Sequence, residues 1–452
     1  MNESELLTAG QCQEIFRLVQ QAARAEGVPD VEAMFGAGSS ALTRFANNTI
    51  HQSVAERGRY ISVRALIEGR TARANSNRFD TDAIRRVTQD AITLTRLQAR
   101  DPDLLPLPGP QPITNVERFF PSTATATPAT RASAVRDAIR SVESESLTAA
   151  GIYATNQSAF AILNSAGLFD YYCDTLAQFS ITAIGSDSSG WAKETACDVS
   201  ALNTRALASR AAKKASASAR PKELPPGRYT VILEPAAVLD LVGQMFRDFS
   251  ATAIDDGRSF LAGRAEGKLF GDNISITDDV YHSAQSGAPF DGEGVPRQRL
   301  ALVERGAIRH IACSRQAARK AGVPPTGHGF PLPNEIGEAP ANIVIAGGDS
   351  TLDQMIASTA RGLLVTRLWY IREVDPYQKI MTGMTRDGTF LIDGGHIVGG
   401  VRNFRFNQSL VELLSNVEAL SAPVRASGEE AFDMVVPAMK VNEFHFTDVT
   451  KF

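Results

Sequence analysis

Four acidic residues stand close together in this 452-residue chain: Asp278, Asp279, Asp291 and Glu293. The last two alternate with glycine in Pro289-Phe290-Asp291-Gly292-Glu293-Gly294-Val295-Pro296. Carboxylates on a glycine-rich turn can bind a cation or hold a peptide amine, and they can equally cap backbone groups of the turn itself. A second set is cationic. Arg367, Arg372 and Arg386 flank Trp369, Tyr370 and Asp375. Guanidinium groups so placed either grip a substrate carboxylate with two bonds or pair with acids across neighbouring strands. The six histidines are His51, His282, His310, His328, His396 and His445, and none pairs with another at the spacing that puts two ligands on one helical face. His328 lies in the Gly/Pro-rich Thr326-Gly327-His328-Gly329-Phe330, and His282 just precedes the acidic turn. Either His282, Asp291, Glu293 and His328 converge on a metal, or these are unrelated loop histidines. A phosphate loop ending in Lys-Ser/Thr is absent. So is a GxSxG elbow, because Ser259 follows Gly257-Arg258 without the second glycine.

These groups need elements to position them. Ile15, Leu18, Val19 and Ala22 recur at helical spacing, so residues 11–26 read as a helix that Gly27-Val28-Pro29 ends. Strand-like runs follow at 31–36, 42–53, 59–67 and 71–74. In the third, Ile61, Val63 and Ala65 alternate with Tyr60, Ser62 and Arg64. Asp80 caps a helix running to about Leu97. The pattern then restarts: a helix at 132–143, strands at 147–156, 158–164 and 168–185, a short strand led by Gly190-Trp191-Ala192, and a helix at 198–218. The two halves read as a degenerate repeat. Beyond Arg220-Pro221-Lys222-Glu223-Leu224-Pro225-Pro226-Gly227 come an apolar strand at 229–233, an amphipathic helix at 236–251, and many short strands with Gly-rich turns.

The fold class expected is therefore α+β: an N-terminal α/β region of two similar subdomains, then a largely antiparallel, β-rich C-terminal domain. The boundaries are 1–100 for the N-terminal subdomain, 101–127 for a Pro/Thr-rich linker, 128–219 for the central subdomain and 228–452 for the C-terminal domain. Length alone suggests about three domains. Hydrophobic residues make up 43% and charged residues 21%, enough for a core without staples. A net charge of -4 with mixed signs and no basic stripe argues against direct nucleic-acid binding. Cys12, Cys173, Cys197 and Cys313 form no CxxC pair and read as buried free thiols. The polar, acidic N-terminus is unlike a signal peptide, and no apolar run reaches the roughly 20 residues of a membrane span. A cytoplasmic protein with no membrane partner is expected.

From Arg228 onward the chain resembles the TldD/PmbA family. Val231-Ile232-Leu233-Glu234-Pro235-Ala236-Ala237-Val238, Gly257-Arg258-Ser259-Phe260-Leu261-Ala262-Gly263, the acidic turn, Gly362-Leu363-Leu364-Val365-Thr366-Arg367 and Val435-Val436-Pro437-Ala438-Met439-Lys440-Val441 match it in order and spacing. The resemblance implies that catalytic members carry HExxxH on the helix after the first strand of this domain, with a late cysteine as a further zinc ligand. Aligned on the Val-Gly step of Leu239-Asp240-Leu241-Val242-Gly243-Gln244, Leu239 and Gln244 stand at the two His positions and Asp240 at the Glu position. No cysteine follows Cys313. The same loss marks the second subunit of the family's heterodimer, called TldE or PmbA. His328 stands where many relatives have Thr-Gly-Asn.

The resemblance thus implies a subunit with no catalytic residues and no metal of its own. It would pair with a TldD-like, zinc-bearing homologue and help form a cavity for unfolded peptides. Asp291, Glu293, Arg367, Arg372 and His328 are the candidate peptide contacts. The rival from another class is a stand-alone enzyme in which the acidic turn and the arginines carry acid–base chemistry on peptide-like or small-molecule substrates. A regulator of gyrase, which the family's historical name suggests, has no positive feature in the sequence.

Overall fold

The computed structural model describes residues 6–264 and 267–450. Its first half repeats one plan. Helix α1 (Ala9–Ala25), strands β1 (Val31–Ala46), β2 (Thr49–Ile67) and β3 (Arg70–Ser76), and helix α2 (Thr81–Leu97) form the first unit. After a short α3 (Pro121–Ala124), helix α4 (Pro128–Glu143), strands β4 (Thr148–Asn164), β5 (Phe169–Ile184) and β6 (Ser189–Ala196), and helix α5 (Thr204–Ala217) form the second. The units join edge to edge, because β1 pairs antiparallel with β4, giving one six-stranded sheet in the order β3-β2-β1-β4-β5-β6.

Several strand boundaries differ from the sequence pattern: 31–36 and 42–46 lie on the single strand β1, and 49–53 and 59–67 on the single strand β2. Residues 42–53 are not one strand: the chain reverses at Asn47-Asn48, where φ is 50° and 58°. Asparagine tolerates this left-handed conformation, and two such residues make the tight hairpin turn whose twist suits the strands. Residues 147–156 and 158–164, conversely, are the single strand β4.

Alternation along these strands separates two faces. Val31, Ala33, Phe35, Ile61, Val63 and Ala65 pack beneath α1 and α2; Phe179, Ile181 and Ala183 pack beneath α4 and α5. Helix α1 turns Cys12, Phe16, Val19 and Ala23 inward at helical spacing. The other face is polar yet buried. Glu32, Arg64 and Arg73 stand in register across β1, β2 and β3. The Arg64 guanidinium donates to both Glu32 oxygens, at 3.1 and 2.8 Å. Arg73 donates to Glu32 and to the carbonyl of Leu332, so the row ties the sheet to the C-terminal half. Burial alone would raise the Glu32 carboxyl, but the two guanidinium groups outweigh it and hold its pKa below the ordinary value.

The C-terminal half is built on β7 (Gly227–Leu233), followed by α6 (Pro235–Val242). Strand β7 lies parallel to Arg361–Asp375 and antiparallel to Met439–Val449. Ile380–Asp393 and Phe404–Ser409 complete the ring, which closes because Arg361–Asp375 also pairs with Ile380–Asp393. Phe404, Phe406, Phe444 and Phe446 cluster in its core with their rings tilted or edge-on to one another. A second, six-stranded sheet of short strands includes β8 (Ile276–Asp278) and β9 (Leu300–Glu304). The whole is α+β, with antiparallel pairing dominant. Residues 101–127 run between the halves: Arg118 donates to the carbonyls of Gly287 and His282, and Pro108 accepts from Asn164. No helix among the described residues is long and apolar enough to cross a membrane. All four cysteines are free; Cys12 and Cys313 are buried, Cys173 and Cys197 only half-buried.

Arg64→Ala strips Glu32 of its main partner inside the interface. Leaving a buried charge under-compensated costs about 3–5 kcal/mol, read as a lowered urea midpoint. Because the Glu32 pKa is depressed on folding, its contribution is present at neutral pH and lost as pH falls through the folded value. A loss under about 1 kcal/mol at pH 7 would show the row to be dispensable.

Candidate functional site

The helix that follows β7 carries the positions aligned above with the family's HExxxH motif. Pro235 begins α6 at a site where its missing N–H is not needed. The helix stops at Val242 rather than continuing to 251; a 3₁₀ stretch, Gly243–Asp248, follows, and Ser250 caps a separate short helix, Ala251–Asp255. Leu239 is fully buried in the core. Asp240 is equally buried, and its Oδ1 accepts the N–H groups of Glu429 and Glu430 at 2.9 and 3.0 Å. Burial pushes its carboxyl up to about 6 in spite of those bonds. Gln244 Nε2 donates to the carbonyls of Asp240 and Glu430. Gly428 closes the contact, since a Cβ there would collide with Asp240 Oδ1 and Leu239 Cδ2.

These residues do not fit a zinc ion. Leucine offers no donor, and the Asp240 and Gln244 side chains are committed to the 428–430 backbone. Cys313 lies apart, its thiol pushed up to about 11 by burial rather than held as a thiolate. Among the described residues no three His, Cys, Asp or Glu gather as ligands. The clamp extends one step further. Glu430 accepts the N–H groups of Tyr370 and Ile371, capping a bulge where Tyr370 has φ 56°. Arg372 lies 3.5 Å from Glu430 and over the Tyr370 ring, with its side chain 59% exposed.

The acidic turn lies against the six-stranded sheet. Phe290 stacks on Phe160 at 5.7 Å, and Gly294, at φ 74°, faces Leu168. Asp291 Oδ1 accepts the N–H groups of Glu293 and Val295, and Oδ2 accepts that of Gly329. Glu293 Oε2 accepts the N–H of Arg315. Burial raises both carboxyls, that of Glu293 to about 7, with the neighbouring Asp291 adding to the effect. Asp170, on β5, is pushed up to about 6 by burial and by Asp291. His328 is buried too. Its Nδ1 pairs with Thr326 Oγ1 at 2.9 Å, and its Nε2 lies 3.2 Å from Asp278 Oδ1 without a well-angled hydrogen bond. Asp278 Oδ2 accepts the N–H groups of Ala341 and Asn342. Burial opposes its ionisation, but His328, Arg297 and the Asn342 N–H together hold its pKa low. His282 is occupied locally, its Nδ1 accepting from Ala284 N–H.

Arg367 is also committed. It forms a buried ion pair with Asp387, whose other oxygen accepts from Ser189 on β6. Its guanidinium lies between the Trp191 and Trp369 rings, 5.0 and 5.3 Å from their centroids. The structure therefore brings His328 and the acidic turn together, around backbone rather than around open space. Arg367 and Arg372 lie on a different strand. Of the five expected peptide contacts, Arg372 alone keeps a largely exposed side chain.

The open space lies elsewhere. Polar residues of β5 and β6 face the 427–433 loop: Lys193 donates to the Gly428 carbonyl at 2.6 Å, and Thr195 to Asp433 at 2.6 Å. Cavities of about 400 and 320 Å³ lie on either side of this loop, and Gln178 lines both. Sequence reasoning missed Gln178, Lys193, Glu430 and Asp433. Gln178 and Lys193 carried only the polar alternation along β5 and β6; Glu430 and Asp433 lie in the 427–433 loop, outside those strands, and carried no local signal.

Comparison with known proteins accords with this architecture. Family models described as PmbA/TldA metallopeptidase domain 1, central domain and C-terminal domain match residues 31–95, 121–219 and 226–448. A metalloprotease of Methanothermobacter thermautotrophicus is 25% identical over 295 residues, 60% of this chain but only 62% of the relative's own length. The metalloprotease PmbA of Escherichia coli O157:H7 is 21% identical over 392 residues, 83% of each chain. The crystal structure of TldE from Thermococcus kodakarensis superposes with a TM-score of 0.86 at 19% identity, covering 97% of this chain and 100% of that one.

The two turn carboxylates respond oppositely to amides. Asp291 accepts bonds on both oxygens, so Asp291→Asn leaves a buried N–H facing an NH₂ group and costs about 1–3 kcal/mol. Glu293 uses one oxygen, which Gln retains. Because its pKa is raised on folding, the Glu293 contribution is lost as pH rises through about 7. Glu293→Gln should match the parent at pH 5 and unfold at higher urea at pH 8. A parent-like midpoint for Asp291→Asn, or a lower one for Glu293→Gln at pH 8, would contradict these roles.

Proposed function

Because the chain belongs to the PmbA/TldD metallopeptidase family, we propose that it is the non-catalytic, TldE/PmbA-like subunit of a heterodimeric TldD-type zinc peptidase. The observation that carries this reading is the clamp on α6. Asp240, at the aligned Glu position, and Gln244, at one aligned His position, bind residues 428–430, and Leu239, at the other His position, is core. The zinc then belongs to a TldD-like partner with an intact HExxxH, where it polarises the attacking water. This chain contributes walls and polar anchors for unfolded peptide.

The cleft between the polar face of β5 and β6 and the 427–433 loop supports the peptide role. It offers Gln178, Lys193 and Asn342 as amide and ammonium contacts. Extended peptides bind through main-chain hydrogen bonds with little sequence demand, which suits an unfolded substrate. Arg372, exposed beside Glu430, is the arginine placed to meet a substrate carboxylate. The cytoplasm is the compartment proposed for both subunits.

The test uses unfolded casein, this chain, and an HExxxH homologue from the same genome. This chain alone should leave casein intact, and the mixture should cleave it at least about tenfold faster than the homologue alone, with loss of activity on chelation. Native mass should show one of each chain. Chelator-insensitive cleavage by this chain alone would overturn the reading in favour of a stand-alone enzyme.

A further inference from the structure

A cavity of about 870 Å³ is neither the clamp nor the peptide cleft. It opens where three segments meet: the turn joining β5 to β6, the residues just after α5, and the Ile380–Asp393 strand with the 401–403 segment beside it. Four arginines line it, Arg220, Arg367, Arg386 and Arg402, against two acids, Asp187 and Asp387. Serine and threonine hydroxyls fill much of the remaining wall.

Both acids are already engaged. Asp387 pairs with Arg367 and accepts from Ser189. Asp187 accepts the backbone N–H of Arg220 at 3.1 Å. The cations are less well matched. Arg402 reaches Glu223 only at 3.9 Å, with both side chains more than half exposed, and Arg386 lies 3.7 Å from the shared Asp387. Among the described residues the Arg220 side chain makes no ion pair, and the buried Nη1 of Arg367 has no hydrogen-bond partner. In a chain of net charge -4, a concave site carries a local excess of guanidinium groups. Such an excess is costly unless an anion shares it, and guanidinium forks with nearby hydroxyls are the donors that oxyanions need. The volume is that of a small-molecule site.

We propose that this cavity binds a small oxyanion ligand, one bearing a phosphate or carboxylate group held by Arg220, Arg386 and Arg402. The site shares no residue with the clamp, and of the expected peptide contacts Arg367 alone lines it. The fold also provides a reporter. The two tryptophans of the chain, Trp191 and Trp369, both lie against Arg367 in the cavity wall, so intrinsic fluorescence senses its occupancy.

The experiment titrates the full chain with inorganic pyrophosphate, and separately with an N-acetylated tripeptide bearing a free carboxylate or its amide. Fluorescence and calorimetry are read in parallel. A saturable signal is expected with pyrophosphate, or with the carboxylate peptide but not its amide; the arm that responds identifies the ligand's source. The double variant Arg220→Gln/Arg402→Gln, at exposed positions outside the tryptophan stack, should melt as the parent does and bind about tenfold or more weakly. Raising salt should weaken parental binding. No saturable signal in either readout with any probe up to about 10 mM would overturn the proposal. So would parental affinity in a double variant that melts normally.

Discussion

A buried backbone N–H must find an acceptor, and between β7 and the Arg361–Asp375 strand the chain forms only short strands and helices. Carboxylates supply much of the deficit. Asp240 accepts from Glu429 and Glu430; Asp278 from Ala341 and Asn342; Asp291 from Glu293, Val295 and Gly329; Glu338 from Thr252 and Ser314. Each joins segments far apart in sequence or closes a turn that touches another. A carboxylate suits this task because it is acceptor-only and has room for several donors. The cost is desolvation, visible in the raised pKa values of Asp240, Asp291 and Glu293. At Asp278 the same desolvation is outweighed by His328 and Arg297 beside it and by the Asn342 N–H.

This arrangement gives a physical meaning to the altered zinc motif. The resemblance implies that in catalytic members a zinc ion would join the helix after β7 to a late cysteine. Here the same helix is tied to residues 428–430 by hydrogen bonds from Asp240 and Gln244, and the fit is tight enough to require Gly428. A buried carboxylate with two backbone donors and a glutamine amide can hold two segments together without a metal.

Periodicity in the sequence made the helices, the repeat and the sheet faces legible, since each depends on local spacing. Ile61, Val63 and Ala65 against Ser62 and Arg64 foretold two faces of β2. It could not show that the polar face is buried: that depends on Glu32 and Arg73 falling beside Arg64 in register, and on a second domain covering all three. The acidic turn was visible as residues, and the capping reading of Asp291 and Glu293 describes their hydrogen bonds. Their backbone donors at Gly329 and Arg315 carry no side-chain signature at all. Arg367 stood out either as gripping a substrate carboxylate or as pairing with an acid on a neighbouring strand, and it does the second. Its partner, Asp387, lies across a hairpin interrupted by bulges, where residue spacing no longer predicts register.

The clamp and the cleft are mechanically one object. Asp240 holds the N–H groups of Glu429 and Glu430, while Lys193 on β6 holds the carbonyl of Gly428 and lies 3.3 Å from Glu429. The same few residues thus form the floor of the altered zinc motif and a wall of the cleft. Glu430 passes the constraint on to the bulge at Tyr370, beside exposed Arg372. Displacing the loop would break bonds to α6, β6 and the Arg361–Asp375 strand together, so it stays fixed while surface side chains remain free to adapt. A rigid wall lined by polar side chains binds extended chain at a low entropic cost on the protein's side. On the proposed reading, a subunit that performs no chemistry would still decide which peptide reaches a catalytic neighbour, because position is the one property that a tightly fastened loop supplies.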